Sequence, residues 1–155
     1  MANSETNIVK LDQKIIDFTK HWAVPFSRFA IFLVYFWFGI LKVLSLSPAN
    51  PLVADLLSHT LPFISFDTFI ILFGVFEMIV GVVFIVPRLE RLAILLLGIH
   101  LVTTVMPLFV LPAVTWQNFL VPTLEGQYII KNVLIISVAI GLASHLHVMK
   151  KFKQN

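Results

Sequence analysis

Four ionisable side chains lie inside apolar stretches of the sequence, where charged groups are rarely found. They belong to Lys42, Glu77, His100 and Lys131. A charge near the centre of a membrane-spanning helix costs about 2.5 to 3.5 kcal/mol on insertion scales, so such residues usually pair with one another or serve a function. Polar neighbours at helical spacing extend the set. The candidate ligand-binding cluster therefore comprises Tyr35, Lys42, Glu77, His100, Tyr128, Lys131 and Asn132.

Glycines beside Glu77 indicate that its side chain faces other helices and not lipid. In "GVFEMIVG", Gly74, Glu77 and Gly81 are three and four residues apart and therefore share one helix face. Small residues on that face let a neighbouring helix approach closely. Lys42 lies at helical spacing from Tyr35 in another apolar stretch. We therefore predict that Glu77 and Lys42 interact.

The residues alone leave two interpretations of this cluster open. In the first, Glu77 pairs with one lysine, both lysines extend toward headgroups, and a neutral His100 bonds to a neighbouring helix. In the second, both lysines face the bundle and Glu77 neutralises only one of them. The surplus positive charge then favours an anion or the polarised carbonyl of a quinone head group. We predict no catalytic residue and no metal site, because metal-ligand spacing such as Glu-x-x-His is absent.

Composition places these residues in an integral membrane protein with a single domain. Of the 155 residues, 59% are hydrophobic, the mean hydropathy is +0.96, and only 12% are charged. Soluble domains carry about 25% charged residues and cannot hide so much apolar surface. The sequence contains no cysteine, which excludes thiolate metal sites and iron–sulfur clusters held by this chain.

Four apolar segments have the roughly 17 to 25 residues that a membrane-spanning helix needs. They run from about 29 to 46, 68 to 86, 92 to 111 and 128 to 143. Pro107 is expected to kink the third of them. The predicted fold class is therefore all-α, an integral membrane four-helix bundle.

Two shorter helices are predicted outside the spans. Residues 1–24 form an amphipathic helix in the cytoplasmic interface, and Pro25 separates it from the first span. In "NPLVADLL", Asn50 is a candidate N-cap and Pro51 lies in the first turn, which predicts a short helix on the outer surface. Asp67 is expected to cap the second span. The apolar stripe of the N-terminal helix consists of Ile8, Leu11, Ile15, Phe18 and Trp22.

The positions of the basic residues indicate the orientation. Nine of the eleven Lys and Arg residues lie before the first span, in the "PRLER" turn, or after the fourth span. By the positive-inside rule, both termini and this turn are cytoplasmic, and we expect the chain in the inner (plasma) membrane. The predicted organisation is an interfacial helix (1–24), a four-span membrane domain (25–145) and a basic cytoplasmic tail (146–155).

Motifs in all four spans resemble the DoxX-like superfamily of small four-helix membrane proteins. They are "WFGILK", "GVFEMIVG" followed by "RLERLA", and "EGQYIIKNVLI". The first outer loop, "SPANPLVADLLSHTLPF", is most similar to the YkgB-like branch. The resemblance covers about residues 25–145. It implies that Lys42, Glu77 and Lys131 match the helix-one lysine, helix-two acid and helix-four lysine of the family, whereas His100 matches no family motif. It also implies a link to thiosulfate:quinone oxidoreductases or to oxidative stress.

The leading functional prediction is a membrane protein whose outward-facing polar pocket binds a small anionic or quinone-like ligand. The first alternative is a membrane subunit of a quinone-linked oxidoreductase, which would need a partner chain for its electrons. The second is a structural partner of another membrane protein. We do not expect the chain to be an enzyme on its own. The expected partners are the lipid bilayer and another membrane protein or a second copy, with no nucleic acid. No cofactor is expected on this chain itself, and quinone is the candidate if one binds.

Overall fold

The computed structural model describes residues 2–146, which form eight helices and one short β-hairpin. Met1 and residues 147–155, most of the predicted basic tail, lie outside the described residues. The elements are α1 (Ala2–Val43), α2 (Asn50–Thr60), α3 (Phe66–Ile85), α4 (Glu90–Val105), α5 (Pro107–Val110), α6 (Pro112–Thr115), β1 (Trp116–Asn118), β2 (Val121–Pro122), α7 (Leu124–Ile130) and α8 (Asn132–Ser144).

Four helical stretches are long and apolar enough to cross a membrane, which confirms the predicted number of spans. They are Asn7–Val43, Phe66–Ile85, Glu90–Val110 and Leu124–Ser144. The chain is therefore a multi-pass membrane protein with a helical bundle. The predicted all-α class is confirmed for the bundle, and β1 and β2 add one short antiparallel hairpin that was not predicted. Strands of three and two residues are too short to show the alternation that predicts a strand.

The predicted break at Pro25 is absent, and α1 continues through it as one helix of 42 residues. A proline removes one backbone hydrogen bond, the one to the carbonyl four residues earlier. That carbonyl belongs to His21, which lies in an exposed stretch of the helix, so a polar environment can satisfy it. The amphipathic segment and the first span are thus one element of about 63 Å at 1.5 Å per residue.

The third and fourth spans are each interrupted once. Pro107 has no N–H to donate to Thr103, and α4 gives way to α5 at Met106, where the kink was predicted. The fourth span, predicted as one helix, is divided at Lys131 into α7 and α8. The amide of Leu134 bonds to the Lys131 carbonyl, three residues back, at 3.0 Å. This tighter turn makes the break.

Two predicted helix caps lie elsewhere. Ala49, and not Asn50, occupies the N-cap of α2, although Pro51 does lie in the first turn. Ser65, in extended conformation, precedes α3, and Asp67 lies within the first helical turn. There a carboxylate still complements the positive end of the helix dipole.

The core lies where α1, α3, α4 and α8 meet, and α1 and α3 form its most closely packed pair. A Cβ atom on Gly39 would lie only 2.6 Å from the Gly74 carbonyl oxygen, and one on Gly81 3.0 Å from the Phe36 amide nitrogen. The two helices therefore run antiparallel in direct backbone contact. The buried residues of the core are Ile31, Tyr35, Val80, Phe84, Ala93, Leu97 and Ala139.

Candidate functional site

The two ends of the bundle differ and are named here for what they carry. The loop end contains the C-terminal end of α1, near Lys42. It also contains α2 and α5, and these two helices contact each other. The terminal end contains Arg28, the turn between α3 and α4, and the last turn of α8. Residues from these three parts of the chain line one cavity. The polar residues of the site lie between these two ends.

Lys42 and Glu77 form a buried ion pair in which both carboxylate oxygens are bound. The Lys42 Nζ atom lies 2.9 Å from Oε1 and 2.7 Å from Oε2 of Glu77. The two residues are 6% and 5% exposed. In a site this dry the partners stabilise each other strongly, and removal of either leaves a buried charge without compensation.

The direction of the helices explains why Lys42 reaches inward. Side chains on an α-helix lean toward its N-terminus. Because α1 and α3 are antiparallel, Lys42 leans toward mid-span and Glu77 leans toward the loop end. Gly74 lies opposite the Lys42 stem, where an added Cβ would come within 3.0 Å of the Lys42 Cβ. The first interpretation of the cluster predicted that Lys42 extends toward the headgroups. The structure shows instead that Lys42 points into the bundle.

His100 joins the pair from α4. Its Nε2 atom lies 2.9 Å from Oε1 of Glu77, and its Nδ1 atom lies 3.2 Å from the hydroxyl of Tyr35. A carboxylate only accepts hydrogen bonds, so Nε2 carries the proton and, in a neutral ring, Nδ1 accepts. Tyr35 then donates to Nδ1. The result is a continuous chain of hydrogen bonds from Tyr35 through His100 and Glu77 to Lys42, called the buried cluster below.

Threonines and aromatic rings hold His100 in place. Thr104 lies 3.1 Å from Nδ1, and Thr103 donates to the His100 carbonyl at 2.7 Å. The Phe73 ring stacks on the imidazole, with 5.2 Å between centroids and 12° between planes. The same Phe73 ring lies 5.6 Å from the Lys42 Nζ, close enough for a cation–π contact. No pattern in the sequence distinguished Phe73, because α3 contains several other phenylalanines.

The buried cluster is closed. Its four side chains are all buried, and the two cavities described in the bundle lie elsewhere. One is an apolar groove of about 190 Å³ between α4 and α8. The other, of about 160 Å³, lies at the terminal end beside Arg28 and Glu90. A ligand that reaches the cluster must therefore displace protein atoms.

The three candidate residues from the fourth span stay apart from the buried cluster. Lys131 is exposed, and its ammonium lies 4.8 Å from the centre of the Tyr128 ring, which is 62% exposed. The Asn132 amide, at the start of α8, donates to backbone carbonyls of α7, those of Tyr128 and Ile129. The structure thus joins Tyr35, Lys42, Glu77 and His100 and leaves Tyr128, Lys131 and Asn132 on the outer surface of α7 and α8.

A second polar site, which the sequence did not predict, closes the terminal end. The Arg28 guanidinium donates to the carbonyls of Phe84 and Val86 at 2.6 and 2.9 Å, and it pairs with Glu90 at 2.9 Å. Carbonyls at a helix C-terminus have no partner within the helix. Arg28 of α1 therefore caps α3 and ties it to the start of α4.

Comparisons with known proteins add no relative. No protein-family model, no curated protein and no solved structure matches this chain. The resemblance to the DoxX-like superfamily, drawn from motifs in four spans, stays a prediction.

Proposed function

We propose that the buried cluster binds the oxygen-bearing head group of an amphiphile dissolved in the bilayer, such as a quinone. One observation carries the proposal. The Lys42 ammonium has three N–H bonds, two of which are directed at Glu77, and among the described residues its remaining contact is the weaker one with the Phe73 ring, 5.6 Å away. A carbonyl oxygen can accept a charge-assisted hydrogen bond from this donor without bringing a further charge into the buried site.

The charge balance favours a neutral head group over the small anion that the sequence also allowed. Lys42 is neutralised by Glu77, and Lys131, the other lysine of the predicted cluster, is exposed at the junction of α7 and α8. The surplus positive charge that would attract an anion is therefore absent from the buried cluster while His100 is neutral. A carbonyl needs only a donor, and it brings no charge that must be desolvated.

The ligand is proposed to enter from the bilayer along α8. Ala139 is the only residue of α8 that is buried, whereas α3 has six buried residues and α4 has three, so α8 is packed less firmly than these two helices. A small separation of α8 from α4 exposes the core around Tyr35 without disturbing the close contact of α1 and α3. Entry from the lipid suits an apolar ligand better than one dissolved in water.

Binding by this chain is also compatible with the first functional alternative, a membrane subunit of a quinone-linked oxidoreductase. An oxidoreductase partner that supplies the electrons would reduce a quinone held beside Lys42, and this chain would be the membrane subunit of that complex. We propose binding and no turnover by the chain alone, since the cluster provides hydrogen bonds and protons but no electron carrier.

Purification in native lipid nanodiscs, followed by mass spectrometry of the retained small molecules, tests this function. We expect wild-type protein to retain a quinone-like amphiphile. The variant Lys42→Met with Glu77→Gln should lose it, because both charges are removed together and no buried charge is left unpaired. If the variant retains as much of the same molecule as wild type, the head group does not bind at the cluster.

A matched control removes the same charges from the surface. Lys131 and Glu125 are both exposed in the fourth span, and the variant Lys131→Met with Glu125→Gln makes the same chemical change away from the cluster. We expect it to retain the ligand at the wild-type level. Loss from both double variants would mean that the effect follows the overall charge of the protein and not the buried cluster.

The exposed half of α1 is proposed to lie on the cytoplasmic surface of the same membrane. Its apolar stripe, which ends at Trp22, continues at helical spacing into the exposed residues Phe26, Phe29 and Leu33 of the first span. A bend at Pro25 toward this face would bring the stripe onto the bilayer and leave Lys10 and Lys14 toward anionic headgroups. The alternative occupant of this stripe is a helix of a partner protein.

A further inference from the structure

The apolar groove between α4 and α8 has the shape and position of a site for a hydrocarbon chain. Its volume is about 190 Å³, and its lining is apolar throughout. A cavity of about 150 Å³ lined by apolar side chains is large enough to hold benzene. The lining residues are Ile94, Leu97, Gly98, Leu101, Ile136, Ala139, Ile140 and Ala143.

The groove begins at the depth of the buried cluster. Leu97 and Leu101 flank His100 on α4, and Leu97 and Ala139 belong to the same packed core as Tyr35. From there the groove follows α4 back to Ile94, a distance of about 10 Å at 1.5 Å per residue. It therefore leads from the polar cluster toward the terminal end, along the outside of the core.

Gly98 leaves room in the wall of the groove. A Cβ atom added to Gly98 would meet no atom within 4 Å, so Gly98 does not serve close helix packing as Gly39 and Gly74 do. Glycine in a helix costs about 1 kcal/mol relative to alanine. Here that residue leaves open space in the wall of the bundle, at the level where a tail would leave the core.

We infer that this groove holds the hydrocarbon tail of the amphiphile whose head group binds at the buried cluster, an inference that rests on the proposed function. The head group and the tail then use two adjoining sites on α4, one polar and closed, the other apolar and open to lipid. The ligand class is accordingly a carbonyl-bearing ring or chain end with a linear or prenyl tail.

Two benzoquinone probes separate the two sites. One is a benzoquinone without a tail, and the other carries a decyl chain. Binding of each is titrated in nanodiscs of one fixed lipid composition. Wild-type protein should bind both probes, and the variant Gly98→Leu, which fills the groove, should bind the decyl probe about tenfold more weakly while the tailless probe is unaffected.

A second glycine provides the control. Gly141 of α8 also has nothing within 4 Å of an added Cβ, yet it does not line the groove. Both changes replace glycine by a good helix former, so neither should impair folding. Gly141→Leu should therefore bind both probes as wild type does.

Each other outcome decides the matter. If wild type binds neither probe, the proposed function fails and this inference with it. If Gly98→Leu leaves the decyl probe's affinity unchanged, the inference alone is wrong. Release of a bound phospholipid by Gly98→Leu, with no change for the decyl probe, would make the groove a site for bulk lipid. Conversion of a dimer to a monomer would make it a contact between two copies.

Discussion

At the scale of single residues, Glu77 holds the site together. Its two carboxylate oxygens accept hydrogen bonds from Lys42 of α1 and His100 of α4. Three spans thus depend on one side chain, and Tyr35 extends the chain of bonds through His100. Loss of Glu77 would leave an ammonium and an imidazole without their acceptor in a place that excludes water.

The ion pair predicts strong coupling between two substitutions. Lys42→Met alone and Glu77→Gln alone should each destabilise the protein by about 3 to 5 kcal/mol, because each leaves a buried charge uncompensated. The double variant should cost at least about 1 kcal/mol less than the sum. Equilibrium unfolding in mild detergent measures all three. Additivity within about 0.5 kcal/mol would show that the two side chains do not interact.

Sequence analysis identified all four members of the buried cluster but did not distinguish them from Lys131, which lies outside it. Helical spacing next to glycines placed Glu77 on an inner face, and the structure pairs it with Lys42 as the sequence predicted. No comparable pattern of glycines surrounds Lys131. In a membrane span the lipid-facing residues are apolar like the core, so the pattern of α8 does not reveal its inner face. The surface position of Lys131 therefore depends on tertiary packing.

At the scale of the helices, the contact of α1 with α3 sets the position of Lys42. Gly39 and Gly74 let the two backbones touch, and a side chain at either position would force them apart. This close approach aligns Lys42 with the turn before Glu77. Only Pro25 itself predicted a break, whereas the residues on both sides of it favour a helix. The helix α1 therefore continues through Pro25.

Gly39→Ala tests the close approach of these two helices. The new Cβ would lie 2.6 Å from the Gly74 carbonyl oxygen and 2.7 Å from the Met78 Cγ. Because the first neighbour is backbone, the helices must move apart, and we expect a loss of about 2 to 3 kcal/mol in the free energy of unfolding. Gly141→Ala, which meets open space, should be neutral or stabilising. Equal melting of the two variants would contradict direct backbone contact.

Arg28→Lys tests the cap at the terminal end. Three of the arginine's donors bind Phe84, Val86 and Glu90 at once, and a lysine ammonium lacks the planar fork that makes this geometry available. We expect about 1 to 3 kcal/mol of destabilisation, since carbonyls at the end of α3 lose their partner. Thermal unfolding of Arg28→Lys beside Lys20→Arg, an exposed control, measures it. A wild-type midpoint for Arg28→Lys would show that the cap contributes nothing.

At the scale of the whole molecule, four spans place the two ends of the bundle on opposite sides of a membrane. By the positive-inside rule, we predict from the basic residues that the terminal end faces the cytoplasm. The chain has no cysteine, so single cysteines can report this directly. In intact cells, an impermeant thiol reagent should label Ser58→Cys and Gln117→Cys, both exposed at the loop end, and should not label Arg88→Cys until the cells are opened. Labelling of Arg88→Cys from outside would reverse or refute the topology.

The central claim is that the buried cluster, and not the exposed lysine, binds a carbonyl head group. Titration of tailless benzoquinone in nanodiscs tests it most directly, with two variants that remove one positive and one negative charge each. For Lys42→Met with Glu77→Gln, we expect binding at least about tenfold weaker than wild type, the equivalent of one hydrogen bond from a charged donor. For Lys131→Met with Glu125→Gln, we expect the wild-type affinity. Unchanged affinity in the first variant, or an equal loss in both, would contradict the account.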